Sequence, residues 1–514
     1  MADKPLDLGP LVSGITTVNE QDNNHCPQEV GRQSIQLEVQ SLSDIVDECQ
    51  ADAQSNRMTI DSLPTELLSE ILVSSLPQHH FVHWCWVLVF TRVSRRWRAV
   101  AEATPGLWCS LDIELGWTQW PRIKLKQANL FMRMWTERSG ALSLSLSLKI
   151  PSYYLKEDLP KEESRRMDCV KILKANFYRC RKLRLIAPSK IIATLPDVPT
   201  PYLESLLLLN DDNRRLMLDT LPSLANAARL QYVHLTHIDP QFSLKTFNFE
   251  LLRHLILTDV RGSALVRCMD ILGKCANLES LKMEVSKISE EEVDPFFVRR
   301  PRPTYAQLRK LDVTIWNSWY NFSGVLDWLL LPALRSLTIA GNSIRLDPFL
   351  TDAIIRDGSA IEHLDLSHSQ SGRMLFQDED QLVRFFKALP QLRVLRMGGV
   401  RAGYKPFDDH VLHALTYDPE RFSTGEYLLP QLEEISVCYV SPYCTGRRVA
   451  AMLDSRRTLP ADGPVARLRE ASIIKPWPWM PNTQRWVVKD GGEVEYFARQ
   501  YSGNMDFNPE FCWL

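Results

Sequence analysis

The sequence predicts a mixed α/β chain in which a short all-helical segment precedes a long, irregular solenoid of repeating strand-and-return units. Three observations carry this. The pattern L-x-x-L-x-L recurs nine times between Leu203 and Val437. Two helix-periodic stretches lie upstream of that array, between Asp61 and Val100. The composition, 514 residues with 45% hydrophobic and 24% charged, is that of an ordinary folded chain long enough for a large core or several modules.

Residues 1–57 come first, with ten acidic side chains against Lys4, Arg32 and Arg57 and few aromatics. Such a segment cannot bury enough apolar surface to order itself, so an acidic, disordered region is expected. Within it, Ile35, Leu42 and Val46 are spaced for one short helix, which alone is marginal in water. The formal net charge of the whole chain is −2, so it exerts no general pull on nucleic acid or anionic membrane.

Residues 58–113 form the helical segment, opening with "DSLPTELLSEILVSSLP". Pro64 suits a first helical position, where a missing N–H costs nothing, and Glu66 then falls in the first turn, where the helix dipole favours an anion. Asp61 and Ser62 are capping candidates. Leu67, Leu68, Ile71 and Leu72 cover one broad apolar face. In a second helix, Trp86, Phe90, Val93, Trp97 and Val100 keep an i, i+4, i+7, i+11, i+14 rhythm that sets all five on one stripe. Arg92, Arg95 and Arg98 then project from the opposite side, with Arg96 on the border. The charge-dense "VSRRWRAV" therefore reads as the wet side of a helix with a packed Trp97, not as a phosphate-contacting patch. Thr104, Pro105 and Gly106 end the helix and return Leu107 and Trp108 to the same small core.

Residues 114–200 are expected to hold a linker helix and the first strands, since "GALSLSLSLKI" alternates like a strand and "CRKLRLIAP" suits the start of an array. From 201 to 475 the repeats begin at Leu203, Leu230, Leu252, Leu278, Leu308, Leu334, Ile361, Leu392 and Leu432, with a degenerate tenth at Leu468. Their spacings of 22 to 40 residues lie in or just beyond the leucine-rich-repeat range. Each unit is expected to place a short strand on the concave side of a horseshoe and to return through a helix or turn. The register of the 40-residue unit is left open by the sequence. The aromatic, Pro-containing tail, 476–514, suits a cap over the exposed core of the last repeat.

"LPTELLSEIL", a spacer and "VSRRWRAVAEATPGLW" together resemble the F-box, the short helical motif that binds the Skp adaptor of Skp–cullin–F-box ubiquitin ligases. The match covers residues 61–111, and its continuation through "FMRMWTERSGALSLSLSL" into leucine-rich repeats is similar to the F-box proteins numerous in mushroom-forming fungi. The stretch between Pro77 and Val93 is several residues longer than the common pattern. The resemblance implies that Leu63, Pro64, Leu67, Ile71 and Leu72 face the adaptor's hydrophobic helices, with Val93, Trp97, Leu107 and Trp108 completing or supporting that surface. It implies as partners a Skp-type adaptor, a cullin reached through it, and a target protein that the sequence does not identify. The same side chains also suit a local core; both roles are compatible, because so short a hairpin cannot bury all its apolar surface by itself.

No nucleophile elbow, zinc-peptidase helix, phosphate loop or dinucleotide fingerprint is present, so a non-catalytic chain without cofactor is expected. His79, His80 and His83 are close enough for a two-histidine site, but no Cys or carboxylate trio accompanies them and no functional metal is expected. On strand alternation, the third, fifth and seventh positions of each repeat point away from the leucine core. They supply the target-contact candidates Tyr232, His234, His254, Lys282, Glu284, Lys310, Asp312, His363 and Asp365. This mixed polar set suits a protein or peptide; a nucleic acid would call for a stripe of Lys and Arg. Eleven cysteines without a CxxC pair suit reduced thiols, no basic segment precedes an apolar one at the N-terminus, and the longest apolar run, "FVHWCWVLVF", is about half a membrane span. The expected compartment is the cytoplasm, the nucleus or both.

Overall fold

A computed structural model of the chain describes residues 60–500 except 78–80, 83, 116–124, 152–159, 212–223, 225, 237–247, 262–267, 269–270, 287–303, 317–328, 342–355, 357–359, 367–378, 399–407, 421–426, 439–443, 460–464, 476–481 and 491. The acidic segment 1–57, His79, His80, His83 and residues 501–514 therefore lie outside the described residues. The chain divides into two compact units, Met1–Leu67 and Leu68–Leu514. In the first, a 3-10 turn over Ile60–Ser62 is followed by Pro64 and the opening of helix α1, Thr65–Ser74, with Glu66 in the first turn.

The second unit starts with the rest of α1, then α2 (Trp84–Val93) and α3 (Arg95–Ala103). Here the expectation of a single helix carrying one stripe from Trp86 to Val100 is corrected. Ser94 has extended backbone, φ −152° and ψ 169°, and its hydroxyl accepts the Trp97 N–H at 3.1 Å, so it ends α2 and caps α3. A serine at this position satisfies an otherwise orphan donor at the cost of one residue of helix. Across the break, the Arg98 side chain donates to the Thr91 carbonyl at 2.7 Å, placing a cation on the last turn of α2. A 3-10 turn, Pro105–Trp108, then buries Leu107 and Trp108 completely.

Among the described residues, fifteen strands form one sheet whose order is the chain order. They are β1 (Ser110–Glu114), β2 (Leu144–Lys149), β3 (Cys180–Ala187), β4 (Ser205–Asn210), β5 (Tyr232–Thr236), β6 (His254–Arg261), β7 (Ser280–Ser286) and β8 (Lys310–Trp316). There follow β9 (Ser336–Gly341), β10 (His363–Leu366), β11 (Val394–Met397), β12 (Glu434–Cys438), β13 (Glu470–Lys475), β14 (Asn482–Val488) and β15 (Glu495–Gln500). Neighbours from β1 to β13 are parallel, while β13, β14 and β15 pair antiparallel. Parallel neighbours require a crossover each time, which is the structural meaning of the long return segments.

The sheet extends beyond the expected strands at both ends. The sheet begins at β1, inside the segment assigned from sequence to the helical module, because "SLDIE" alternates and pairs residue for residue with β2. At the other end the tail adds an antiparallel pair of strands, β14 and β15, in line with the sheet. The first apolar residue of each of the ten sequence units, from Leu203 through Ile361 to Leu468, is at most 4% exposed. Each such leucine contributes about 1.5–3 kcal/mol through burial.

Within the 40-residue unit, no further strand lies among the described residues. β11 pairs directly with β12, Val394 opposite Glu434, and helix α8 (Asp409–Leu415) occupies the intervening chain, begun by Asp408, whose carboxylate accepts from the His410 and Val411 N–H groups. Numbering the helices along the chain, α4 is Leu125–Arg138, α5 Pro160–Ala175, α6 Ser189–Ile192, α7 Glu379–Lys387 and α9 Gly446–Arg457. Arg456 of α9 is completely buried and donates to the carbonyls of Leu415 at 2.7 Å, Leu429 at 2.9 Å and Leu428 at 2.6 Å, with its guanidinium over the Tyr427 ring. Leu429 has φ +49°, a left-handed backbone that is costly for leucine and is held in place by that hydrogen bond.

Candidate functional site

Two surfaces qualify as sites. The first is helical. Seven of the fourteen exposed large hydrophobic side chains among the described residues fall between Ile60 and Val93, so exposure of apolar area is concentrated in this short stretch. In the first unit Leu67 is 47% exposed, Pro64 is exposed and Leu63 half-buried. In the second unit Ile71 and Val73 of α1 are exposed, as are Trp86, Val89 and Val93 of α2 at 51%, 54% and 56%. The i, i+3, i+7 spacing of those last three sets them on one outward row of α2.

The other sequence candidates turn inward. Leu72, Leu107 and Trp108 have no exposed surface, and Trp97 is half-buried with its ring 6.4 Å from that of Phe90. Leu72, Leu107 and Trp108 therefore belong to the core and present no surface of their own. Their anchor is a helix that sequence reading assigned to a linker. Trp135 of α4 meets Trp108 edge to face at 4.7 Å, its indole N–H donates to the Ser110 carbonyl at 3.0 Å, and Arg138 lies over the Trp108 ring while pairing with Glu102 at 3.1 Å. The Trp108 indole in turn donates to the Ala101 carbonyl at 2.8 Å. Trp86 and Val89 were missed as surface residues because the stripe was drawn through Ser94; the serine before a charged, helix-favouring run was the signal that separates the two faces.

The second surface is the open face of the sheet. Parallel register aligns Tyr232, His254, Ser280, Lys310, Ser336 and His363 in one row, and His234, Ile256, Lys282, Asp312, Thr338 and Asp365 in the next. All nine target-contact candidates lie on this face, since the residues alternating with them are buried throughout β5 to β10. Lys310 and His363 are exposed and the other seven half-buried.

The face is electrostatically graded. Lys282 pairs with Glu284 at 3.3 Å and reaches Asp312 at 4.0 Å. Burial raises the Asp312 carboxyl, with Glu284 and Asp365 adding to the effect and Lys282 and Lys310 opposing it. Burial, and then the charges of Lys282 and Arg184, push the His234 imidazole down to about 4, so it is neutral at physiological pH. The Nε2 of His234 and the Oγ1 of Thr258 are buried without a hydrogen-bond partner among the described residues. Tyr232 and His254 present neighbouring rings at 6.2 Å.

Among the described residues no group of three or more His, Cys, Asp or Glu is placed to hold a metal ion, and no helix is long and apolar enough to cross a membrane. Cys169, Cys180, Cys268 and Cys275 are buried thiols, and burial raises each of them to about 12. No protein-family model matches the chain, and no curated protein matches it.

Proposed function

We propose that this chain is the substrate-recognition subunit of a Skp–cullin–F-box ubiquitin ligase. In this reading the helices up to Trp108 are the F-box, the strand array is an irregular leucine-rich-repeat solenoid, and the chain itself performs no chemistry. The observation that carries the reading is the outward apolar row Trp86, Val89 and Val93, together with exposed Ile71, within the segment whose sequence resembles an F-box. A half-exposed tryptophan in a row with two exposed valines is costly to leave in water, and an adaptor with apolar helices would cover it. The mixed polar face of β5 to β10 would hold the target, so that ubiquitin transfer catalysed elsewhere in the complex becomes effectively intramolecular. Such a complex would act in cytoplasm or nucleus.

A protein-binding scaffold without ubiquitin output would use the same face of the sheet. The two readings separate on affinity purification of the full chain from cells: recovery of adaptor, cullin and ubiquitinated proteins together supports the receptor, and recovery of other proteins without cullin supports the scaffold. Repeating the purification with Val89→Asp should remove adaptor and cullin while retaining the target.

A further inference from the structure

The target-holding role proposed above leaves open what chemistry the sheet face selects. One row answers this more fully than the sequence did. Register through four consecutive strand pairs aligns Arg184, Leu207, His234, Ile256 and Lys282. All five are half-buried on the open face, with buried leucines, Val233 and Met283 alternating behind them. Arg184 has no carboxylate partner among the described residues, and the carboxylates that engage Lys282 lie on its own strand and on β8, away from β6. Between the two cations the surface is apolar or uncharged: Leu207, Ile256, a neutral His234, and the Tyr232 and His254 rings one row above.

We infer that this strip receives an unmodified, extended segment of the target that carries one acidic side chain at each end of a short apolar or aromatic stretch. Four strand steps of about 4.8 Å separate Arg184 from Lys282, or about 19 Å. An extended chain at about 3.3 Å per residue spans that distance in about six residues, which fixes the spacing of the two acids. Arg184 offers a planar fork to the first carboxylate and Lys282 a point charge to the second. The centre discriminates as well, because a charged side chain placed over Leu207 and Ile256 would lose its water without gaining a partner. A polyanion such as single-stranded nucleic acid fits poorly, since only the two ends of the strip are cationic and its centre offers no positive charge to a run of phosphates.

The test uses the purified full chain and a fluorescein-labelled synthetic heptapeptide, Glu-Gly-Leu-Phe-Leu-Gly-Glu, read by fluorescence anisotropy. Replacing both acids by glutamine should weaken binding by about tenfold or more, and shortening the spacer to two residues should do the same. Arg184→Gln should weaken the parent peptide similarly, and Arg184→Glu should reverse the preference, binding Lys-Gly-Leu-Phe-Leu-Gly-Glu better than the parent. Unchanged thermal unfolding of the variants keeps the result a statement about binding. Absence of peptide binding, indifference to the acids or their spacing, failure of the charge reversal, or equal binding of a single-stranded oligonucleotide would each overturn the inference. No adaptor enters this measurement, so its failure is distinct from failure of the ubiquitin-ligase reading.

Discussion

Glu279 donates its backbone N–H to the Arg253 carbonyl at 2.8 Å and accepts from the Arg253 guanidinium at 2.9 Å, so the two residues are tied through main chain and side chain at once. The same double tie recurs between Arg181 and Glu204, Arg335 and Glu362, and Arg393 and Glu433. Seven of the eight immediately precede their strands and Arg181 is the second residue of β3, so in each pair opposite charges sit on successive rungs. The pairs support the observed register between neighbouring strands, which is fixed chiefly because a one-residue slip would turn the buried leucines to the open face.

These pairs stand in water, with side-chain exposures of 54% and 36% for Arg253 and Glu279, so each contributes at most about 1 kcal/mol. Arg253→Glu should therefore lower the thermal midpoint only slightly, and Arg253→Glu combined with Glu279→Arg should restore it. A large loss in the single variant that the double does not recover would show that the ladder is not an interchangeable charge pairing.

Arg456 behaves differently. Its three carbonyl partners belong to buried leucines, and burial, partly offset by the half-buried Tyr427, lowers its guanidinium from the ordinary arginine value. Arg456→Leu strands those carbonyls and should destabilise the region from Asp409 to Arg457 by about 3–5 kcal/mol. Arg456→Lys should rescue little, because an ammonium cannot reproduce the fork. Hydrogen exchange of peptides covering α8 and α9 checks this: strong local deprotection is expected, and near-native protection in the lysine variant would contradict it.

Trp108 and Trp97 separate two roles that look alike in sequence. Trp108→Ala should cost about 3–5 kcal/mol and release the stack on Trp135. Trp97→Ala should cost less, since that ring is only half-buried. Denaturant unfolding of both variants followed by tryptophan fluorescence tests the order, and a greater loss at Trp97 would reverse the packing assignment.

His234 gives a pH dependence with a defined sign. Its ordinary value of 6.5 applies to the unfolded chain, while in the fold it lies near 4, held down by burial first and by Lys282 and Arg184 next. Between pH 6.5 and about 4 the unfolded chain binds a proton that the folded chain refuses, so this group makes stability fall as pH drops through that window. His234→Gln should flatten that part of the decline in thermal midpoint. An identical pH profile in the variant would mean that His234 is not held neutral by the fold.

Much of this architecture was legible because leucine spacing is a packing requirement. Leu206, Leu208, Leu281 and Leu364 had to point inward for the units to stack, and that placed Tyr232, Lys282 and His363 outward. What was not legible depended on side chains acting on backbone. Ser94 broke a continuous periodicity by capping, Arg456 organised the longest unit through carbonyls, and Trp135 joined the helices to the sheet from a segment that reads as a linker. The grading of the sheet face depended on side chains from distant parts of the sequence acting on one residue, as Arg184 and Lys282 do on His234, which no local pattern aligns.

The central claim is tested most directly by mixing the purified full chain with a purified Skp-type adaptor and measuring complex formation by isothermal titration calorimetry. The account predicts a one-to-one complex that Ile71→Asp or Val89→Asp abolishes while thermal unfolding of the chain stays unchanged, both positions being exposed. Absence of a complex with the wild-type chain, or a complex indifferent to both substitutions, would contradict it.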